Sequence, residues 1–188
     1  MKKPSPIFLN FHGFMGAPDN KNGRALALLY PEALLLSPFI DYLTRSPKSV
    51  LSEADCLLKT HFEEGRPIIL VGQSLGGFVA EALSRKHSLP CLLTNPCLLP
   101  QHCEVITSSP MPRPFLEEYE RLGIKEGKQN PNAFTLCTKT DEVLGRENFD
   151  RCAALGGWLL EVKGRHSGIE NLNESLFRGI EEILKSIP

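Results

Sequence analysis

Net charge is almost absent from this sequence, because 21 Lys and Arg residues oppose 22 Asp and Glu residues and leave a formal charge of −1. The basic residues are scattered along the chain, so the sequence contains no patch that would attract nucleic acid or an anionic membrane surface. We therefore expect neither a nucleic-acid partner nor a membrane partner.

Long hydrophobic runs are also missing. The first apolar run, residues 7–11, is interrupted by Asn10 and is too short for a secretory signal or a membrane span. The six cysteines are an even number, but Cys56, Cys91 and Cys137 lie inside apolar runs, where Cys usually serves as a small buried hydrophobic residue. These features predict a soluble, reduced, cytoplasmic protein.

Internal repeats and low-complexity tracts are absent as well. A chain of 188 residues fits one domain, residues 1–188, and is long enough to bury a substantial core. Residues 97–130 stand apart, because they are rich in Pro and polar side chains and lack strand character. A stretch of this length commonly forms a cap or lid over a site, so we expect a lid at 97–130 within the domain.

Six short apolar runs, near-continuous rather than alternating, are typical of parallel strands that are buried on both faces. They occupy residues 7–11, 33–37, 68–72, 91–94, 133–138 and 158–162. Apolar stripes with helical spacing lie at residues 50–58, 75–83 and 169–184. Alternation of strands and helices predicts an α/β fold, with about six mostly parallel strands and helices on both faces of the sheet.

The sequence "GQSLG" places Ser74 between Gly72 and Gly76, after the third apolar run and before a helical stripe. A strand-to-helix turn this tight forces the serine into a strained backbone conformation with its hydroxyl projecting outward. Side chains at residues 72 and 76 would collide across such a turn, which explains both glycines. The motif predicts a nucleophile elbow. In the simpler alternative, Gly72 ends a strand and Ser74 only caps the helix.

A serine hydroxyl becomes a strong nucleophile only when a base takes its proton. In α/β-hydrolases the partners follow in the order Ser, Asp or Glu, His, each after a later strand. Asp141 follows the fifth apolar run and His166 the sixth, which predicts His166 as the base and Asp141 as the acid that orients it. The alternatives are a turn role for Asp141 and a surface role for His166, and the adjacent Glu142 is the substitute acid.

The sequence "HGF" follows the first apolar run and predicts an oxyanion hole. The second backbone donor of such a hole usually comes from the loop after this strand. We therefore expect the N–H groups of Phe14 and Leu75 to bind the carbonyl oxygen of the substrate. The N–H of Leu75 lies at the positive end of a predicted helix. His12 precedes the serine in the chain, so we interpret it as a structural residue of this loop.

The remaining histidines do not suggest a metal site. His61 and His87 fall near predicted helix C-termini, where a surface cation is the simplest interpretation. Cys97, His102 and Cys103 lie close together, but their spacing matches no zinc pattern and a fourth ligand is missing. We expect neither a metal nor another cofactor.

Taken in order, "HGF", "SLGG", "TNP", "DEVL" and a glycine-flanked histidine resemble the YqiA-like small esterases of the α/β-hydrolase superfamily. The resemblance covers most of the chain. It implies a cofactor-free serine esterase that acts on short-chain acyl esters, with Ser74, Asp141 and His166 as its catalytic triad.

Two other functions remain open at this stage. A thioesterase acting on acyl-CoA or an acyl carrier would use the same groups. A basic groove formed by Arg113, Arg121 or Lys125 would favour this function, but the simpler interpretation is that these side chains are solvated on the surface. A ligand-binding hydrolase fold without activity is the other alternative. We expect a small-molecule acyl ester as the partner, and a monomer or weak homo-oligomer.

Overall fold

The computed structural model of the chain describes residues 4–187. One sheet contains six strands, and every neighbouring pair in it is parallel. The strands are β1 (Ile7–Phe11), β2 (Leu34–Leu36), β3 (Ile68–Gln73), β4 (Cys91–Thr94), β5 (Ala133–Cys137) and β6 (Trp158–Glu161), in the spatial order β2-β1-β3-β4-β5-β6. The α/β class and the parallel sheet predicted from the sequence are confirmed.

Helices cover both faces of the sheet. On one face lie α1 (Lys21–Leu29) and α7 (Leu172–Ser186), and on the other lie α2 (Pro47–Lys59), α3 (Leu75–His87), α5 (Arg113–Leu122) and α6 (Gly145–Ala153). In β1, Ile7 and Leu9 pack toward α2 and α3, whereas Phe8 packs toward α1 and α7. Burial on both faces is why the strands are continuous apolar runs. No helix within residues 4–187 is both long enough and apolar enough to cross a membrane.

A small antiparallel ribbon lies outside this sheet, formed by β7 (Gly164–Arg165) and β8 (Gly168–Ile169). The apolar stripe at 169–184 predicted a helix from Ile169, but Ile169 belongs to β8 and the helix begins only at Leu172. The boundary was wrong because the ribbon uses the first apolar residue of the stripe for strand pairing.

Half of the expected lid, residues 97–130, is helical. It contains a 3₁₀ turn at Pro100–His102, the short α4 (Glu104–Thr107) and α5. The ring of Tyr119 in α5 packs edge-on against Phe78 in α3, with the ring centroids 5.1 Å apart. The segment thus packs on the core beside α2 and α3, and its role as a lid stays a prediction.

The strand order reverses at one place in the sheet. From β1 the chain continues to β2 on one side and then crosses to β3 on the other side, so the order reverses between β1 and β3. In open parallel sheets, ligands bind at the carboxyl ends of the strands at such a point. Phe11 of β1 lies opposite Gly72 of β3, and the loops that follow both strands therefore meet at this edge.

Candidate active site

Ser74 is the only residue between β3 and α3, and its backbone is strained. Its φ of 51° and ψ of −123° lie in a region that residues other than glycine rarely adopt, at a cost of about 1–3 kcal/mol. Three hydrogen bonds hold this conformation. The Ser74 N–H donates to the Thr94 carbonyl at 3.1 Å, and the Ser74 carbonyl accepts from Gly77 N–H at 2.8 Å and Cys97 N–H at 2.9 Å.

Glycines flank this turn because the backbones leave no space for side chains. A Cβ atom on Gly72 would lie 2.3 Å from the Gly76 carbonyl oxygen, and one on Gly76 would lie 2.1 Å from the Phe11 carbonyl oxygen. Real Cβ atoms do not approach backbone atoms this closely. The crowding expected from the sequence is therefore present, and it includes β1 as well as the turn itself.

The hydroxyl of Ser74 contacts a histidine from a distant part of the chain. Ser74 Oγ lies 2.9 Å from His166 Nε2, and His166 Nδ1 lies 2.8 Å from Asp141 Oδ2. Because an ionised carboxylate can only accept, Nδ1 carries the proton toward Asp141 and Nε2 is left to accept from the serine. Among residues 4–187, the Ser74 side chain makes no capping bond to α3, which argues against the simple N-cap interpretation.

Asp141 makes the contacts expected for both the turn role and the orienting role. Its Oδ1 accepts from the N–H groups of Val143 and Leu144, both at 2.9 Å, while Oδ2 faces His166. Burial by itself raises the pKa of Asp141, but the hydrogen bonds from His166 and from Leu144 N–H outweigh burial and lower that pKa below its ordinary value. The carboxylate therefore stays ionised and can stabilise a positive charge on His166.

His166 occupies the two-residue turn of the ribbon, because Arg165 pairs with Gly168. Side chains from other elements hold this turn. Glu142 Oε2 accepts the backbone N–H of His166 at 3.1 Å, and Lys21 Nζ donates to the Ser167 carbonyl at 2.7 Å. Glu142, the substitute acid considered from the sequence, thus binds the backbone of His166 and not its ring.

Asn95 is a further contact of the ribbon that the sequence reasoning missed. Its Nδ2 donates to the carbonyls of Arg165 at 3.2 Å and His166 at 2.9 Å. The only signal in the sequence was the "TNP" that follows the fourth apolar run, which supported a resemblance but did not indicate any role for the amide.

The loop after β1 lies directly beside the serine. A Cβ atom on Gly13 would lie 3.0 Å from Ser74 Cβ and 3.5 Å from Ser74 Oγ. Within residues 4–187, no acceptor is found for the N–H of Phe14, and Leu75 is the first residue of α3, where helical N–H groups lack intrahelical partners. The positions suit an oxyanion hole, and that role of Phe14 and Leu75 stays a prediction.

His12 braces the same loop. It is 1% exposed, and its Nε2 accepts from the Ile40 N–H at 2.9 Å. The proton is therefore on Nδ1, which donates to the Gly13 carbonyl at 2.8 Å. The hydroxyl of Tyr42 donates to the His12 carbonyl at 2.7 Å. These contacts match the structural role predicted for His12.

Two thiols lie close to the candidate active site. A hydrogen bond from the Cys97 thiol lowers the pKa of Cys103 to about 6, although partial burial opposes this change. The same hydrogen bond and complete burial raise the pKa of Cys97. Cys103 is also close enough to His166 for the two charges to interact. Ionisation of Cys103 would therefore place negative charge near the imidazole.

The other histidines each contact a carboxylate away from Ser74. His102 Nδ1 lies 3.2 Å from a carboxylate oxygen of Glu147, His61 contacts Glu64, and His87 contacts Asp55. His87 lies at a helix C-terminus as expected, since it is the last residue of α3, but the side chains of His61 and His87 are only 16% and 15% exposed and are not surface groups.

Comparison with known proteins identifies a family and a fold. The model of a family described as Uncharacterised protein family (UPF0227) matches residues 7–155. A candidate hydrolase of the α/β superfamily from Xanthomonas campestris pv. campestris is 21% identical, with a TM-score of 0.61, and the match covers 98% of this chain and 99% of that one. No curated protein sequence matches the chain.

Two further solved structures from other organisms have the same architecture. Mouse alpha/beta hydrolase domain-containing protein 10 is 14% identical, with a TM-score of 0.70 over 100% of this chain and 93% of that one. Est1E from Butyrivibrio proteoclasticus, solved with ferulic acid bound, is 14% identical, with a TM-score of 0.71 over 99% of this chain and 93% of that one. The TM-scores of these structures over nearly the whole chain establish the α/β-hydrolase fold, and the family match confirms the resemblance to YqiA-like proteins.

Proposed function

Because the chain belongs to the UPF0227 family and has the α/β-hydrolase fold, we propose that it is a serine esterase that hydrolyses short-chain carboxylic esters. The observation that carries this proposal is the continuous contact from Ser74 Oγ through His166 to Asp141, at 2.9 Å and 2.8 Å. It lies at the carboxyl ends of the strands beside the point between β1 and β3 where the strand order reverses, which is where ligands of such sheets bind.

The reaction proceeds in two halves. In the first, Ser74 Oγ forms a bond to the ester carbonyl carbon while His166 Nε2 takes the hydroxyl proton. The bond from that carbon to the alcohol oxygen then breaks, and His166 gives the proton to the departing alcohol. In the second half, His166 takes a proton from water, the water oxygen attacks the acyl-enzyme, and Ser74 recovers its proton as the acid leaves.

The negative charge that develops on the carbonyl oxygen needs donors that are already in place. The N–H groups of Phe14 and Leu75 would supply them, and removal of one such donor typically lowers kcat by about 10²–10³-fold. Asp141 keeps the proton of His166 on Nδ1 and stabilises the imidazolium that forms in both halves.

A covalent probe tests this proposal. A fluorophosphonate is expected to modify wild-type protein at Ser74, while Ser74→Ala stays unlabelled and retains the wild-type circular dichroism and unfolding midpoint. Ser52→Ala, which removes an exposed serine of α2, is the matched control and is expected to react like the wild type. If the wild type reacts no faster than Ser74→Ala, the proposal is wrong.

The substrate class requires a second assay with the same variants. The rates for p-nitrophenyl esters of increasing acyl length are compared with the rates for acyl-CoA thioesters of the same lengths. Highest kcat/KM for short oxygen esters supports the proposal. Higher kcat/KM for the thioesters would identify a thioesterase, which uses the same groups for a different leaving group.

A further inference from the structure

The contacts of Asn95 point to a role that the triad alone does not explain. We propose that Asn95 is the positioning residue that keeps His166 within reach of Ser74, an inference that rests on the proposed esterase function. Its amide donates to the backbone carbonyls of Arg165 and His166, at 3.2 Å and 2.9 Å. It therefore acts on the segment that carries the imidazole and not on the imidazole itself.

The orientation of this amide is determined by its other end. Asn95 Oδ1 accepts from the Thr138 N–H at 2.8 Å and from the Thr138 hydroxyl at 3.2 Å. A flipped amide would place its NH₂ group against the Thr138 N–H, two donors facing each other, and its oxygen against two carbonyls. Only the observed orientation satisfies both sides, so the donors must face the ribbon.

The ribbon needs such support because it is small and isolated. β7 and β8 pair through two residues each and do not join the six-stranded sheet. Two-stranded hairpins are marginally stable on their own in water. Without external contacts, the imidazole would sample positions beyond the 2.9 Å that proton transfer from Ser74 requires.

Three side chains from other elements hold the turn, and Asn95 differs from the other two in burial. Lys21 and Glu142 are exposed, so water can replace either of their hydrogen bonds. Asn95 is 0% exposed, so water cannot take the place of its amide without opening the structure. Its loss therefore affects the ribbon more than the loss of Lys21 or Glu142.

The backbone of Asn95 makes it a rigid link to the sheet. It directly follows β4, its N–H donates to the Leu136 carbonyl in β5 at 2.8 Å, and Thr138 directly follows β5. Its φ of 41° lies in the left-handed region, which Asn and Asp tolerate better than other residues with side chains. The carboxyl ends of β4 and β5 and the histidine turn thus converge on one buried amide.

The test compares Asn95→Asp and Asn95→Gly with the wild type. Asp keeps the size, the tolerance of positive φ and the acceptor for Thr138, but it presents an oxygen to the two carbonyls. Gly suits the positive φ, adds no charge and removes both sets of bonds. For p-nitrophenyl acetate, we expect kcat to fall about 10–100-fold in both variants, with KM within about threefold of wild type. Fluorophosphonate labelling should slow in parallel.

Asn130→Ala is the matched control. Asn130 is also a buried amide, 2% exposed, and it bonds to Glu81 and Ser84 on α3 at the opposite end of β5. We expect this variant to lose stability while kcat for the folded protein stays near wild type. A similar loss of kcat in Asn130→Ala would show that the effect of Asn95 is general destabilisation, and it would overturn the positioning role.

A readout independent of activity separates this inference from the proposed function. Amide hydrogen exchange of residues 164–169 should accelerate in both Asn95 variants, while exchange in β1 and β3 is unchanged. In the wild type, the Asn95 side-chain amide protons should exchange slowly, a measurement that needs no variant. Unchanged kcat in the variants, a loss confined to KM, or fast exchange of those protons overturns the proposal. Absence of labelling and hydrolysis in the wild type would refute only the esterase function.

Discussion

Asp141 and Glu142 are adjacent in the chain, yet they bind different atoms of the same histidine. Asp141 Oδ2 contacts the ring Nδ1 at 2.8 Å, and Glu142 Oε2 accepts the backbone N–H of His166 at 3.1 Å. Asp141 is also 7% exposed, whereas Glu142 is exposed to solvent. Only the first contact can stabilise positive charge on the ring, so the two acids have different expected effects on catalysis.

We expect Asp141→Asn to lower kcat by about 10³–10⁴-fold, because the amide stabilises neither the required tautomer nor the imidazolium. Glu142→Gln keeps an oxygen acceptor for the backbone N–H and should cost at most about fivefold in kcat. Steady-state hydrolysis of p-nitrophenyl acetate measures both variants. A larger loss in Glu142→Gln than in Asp141→Asn would make Glu142 the orienting acid.

Gly13→Ala tests the crowding around Ser74, the proposed nucleophile. The new Cβ would lie 3.0 Å from Ser74 Cβ and 3.5 Å from Ser74 Oγ, so it would displace the loop that carries the predicted Phe14 donor. We expect kcat to fall by about 10²-fold with little change in the unfolding midpoint, because the strained contact is confined to the loop. Wild-type kcat in this variant would mean that the loop after β1 takes no part in the reaction.

Gly76→Ala tests the packing of α3 on β1. Its Cβ would lie 2.1 Å from the Phe11 carbonyl oxygen, and the two backbones can separate only if α3 moves away from the sheet or β1 is displaced within it. We expect a loss of about 3 kcal/mol or more in the free energy of unfolding, measured with urea. Gly127→Ala is the control, because its Cβ would meet nothing within 4 Å. Only its positive φ of 73° matters, and we expect it to lower the free energy of unfolding by about 1–2 kcal/mol. Equal losses in the two variants would contradict the steric explanation.

The ionisation of Asp141 gives a prediction for stability against pH. Its pKa in the folded protein is lower than the ordinary value of 3.8, so the unfolded chain binds the proton first as pH falls. The stabilising contribution is complete well above pH 3.8 and is lost as pH decreases through the folded-state pKa. Urea unfolding of wild type and Asp141→Asn should therefore show an excess stability of the wild type that declines below about pH 4. An excess that grows toward acidic pH would show that the pKa is raised instead.

The sheet could be predicted from the sequence because each strand is a local apolar run. Five of the six predicted runs contain a whole observed strand, β3 extends one residue beyond its run to Gln73, and the runs at 7–11 and 91–94 match β1 and β4 residue for residue. Helix α5 was missed because its prolines suggested irregular structure. Pro114 lies in the first turn, where the missing N–H costs nothing, so the proline starts the helix and does not break it.

The ribbon was missed for a different reason. β7 and β8 contribute two residues each, too few for any periodic pattern of side chains. The side chains that stabilise the turn at His166 come from distant parts of the chain. Asn95 and Glu142 are 71 and 24 residues from His166, and Lys21 is 146 residues from Ser167, to which it bonds. No local pattern contains that information.

The sequence by itself determined the elbow at Ser74. A tight turn between a strand and a helix needs glycines within two residues of the serine, and this local requirement can be read directly from neighbouring positions in the sequence. It also determined the order in which an acid and a histidine follow, since each comes after its own strand. Only the tertiary structure decided which acid faces the ring and which amide supports the turn. Ser74 and His166 are 92 residues apart, and their 2.9 Å contact depends on how the sheet brings the ends of its strands together.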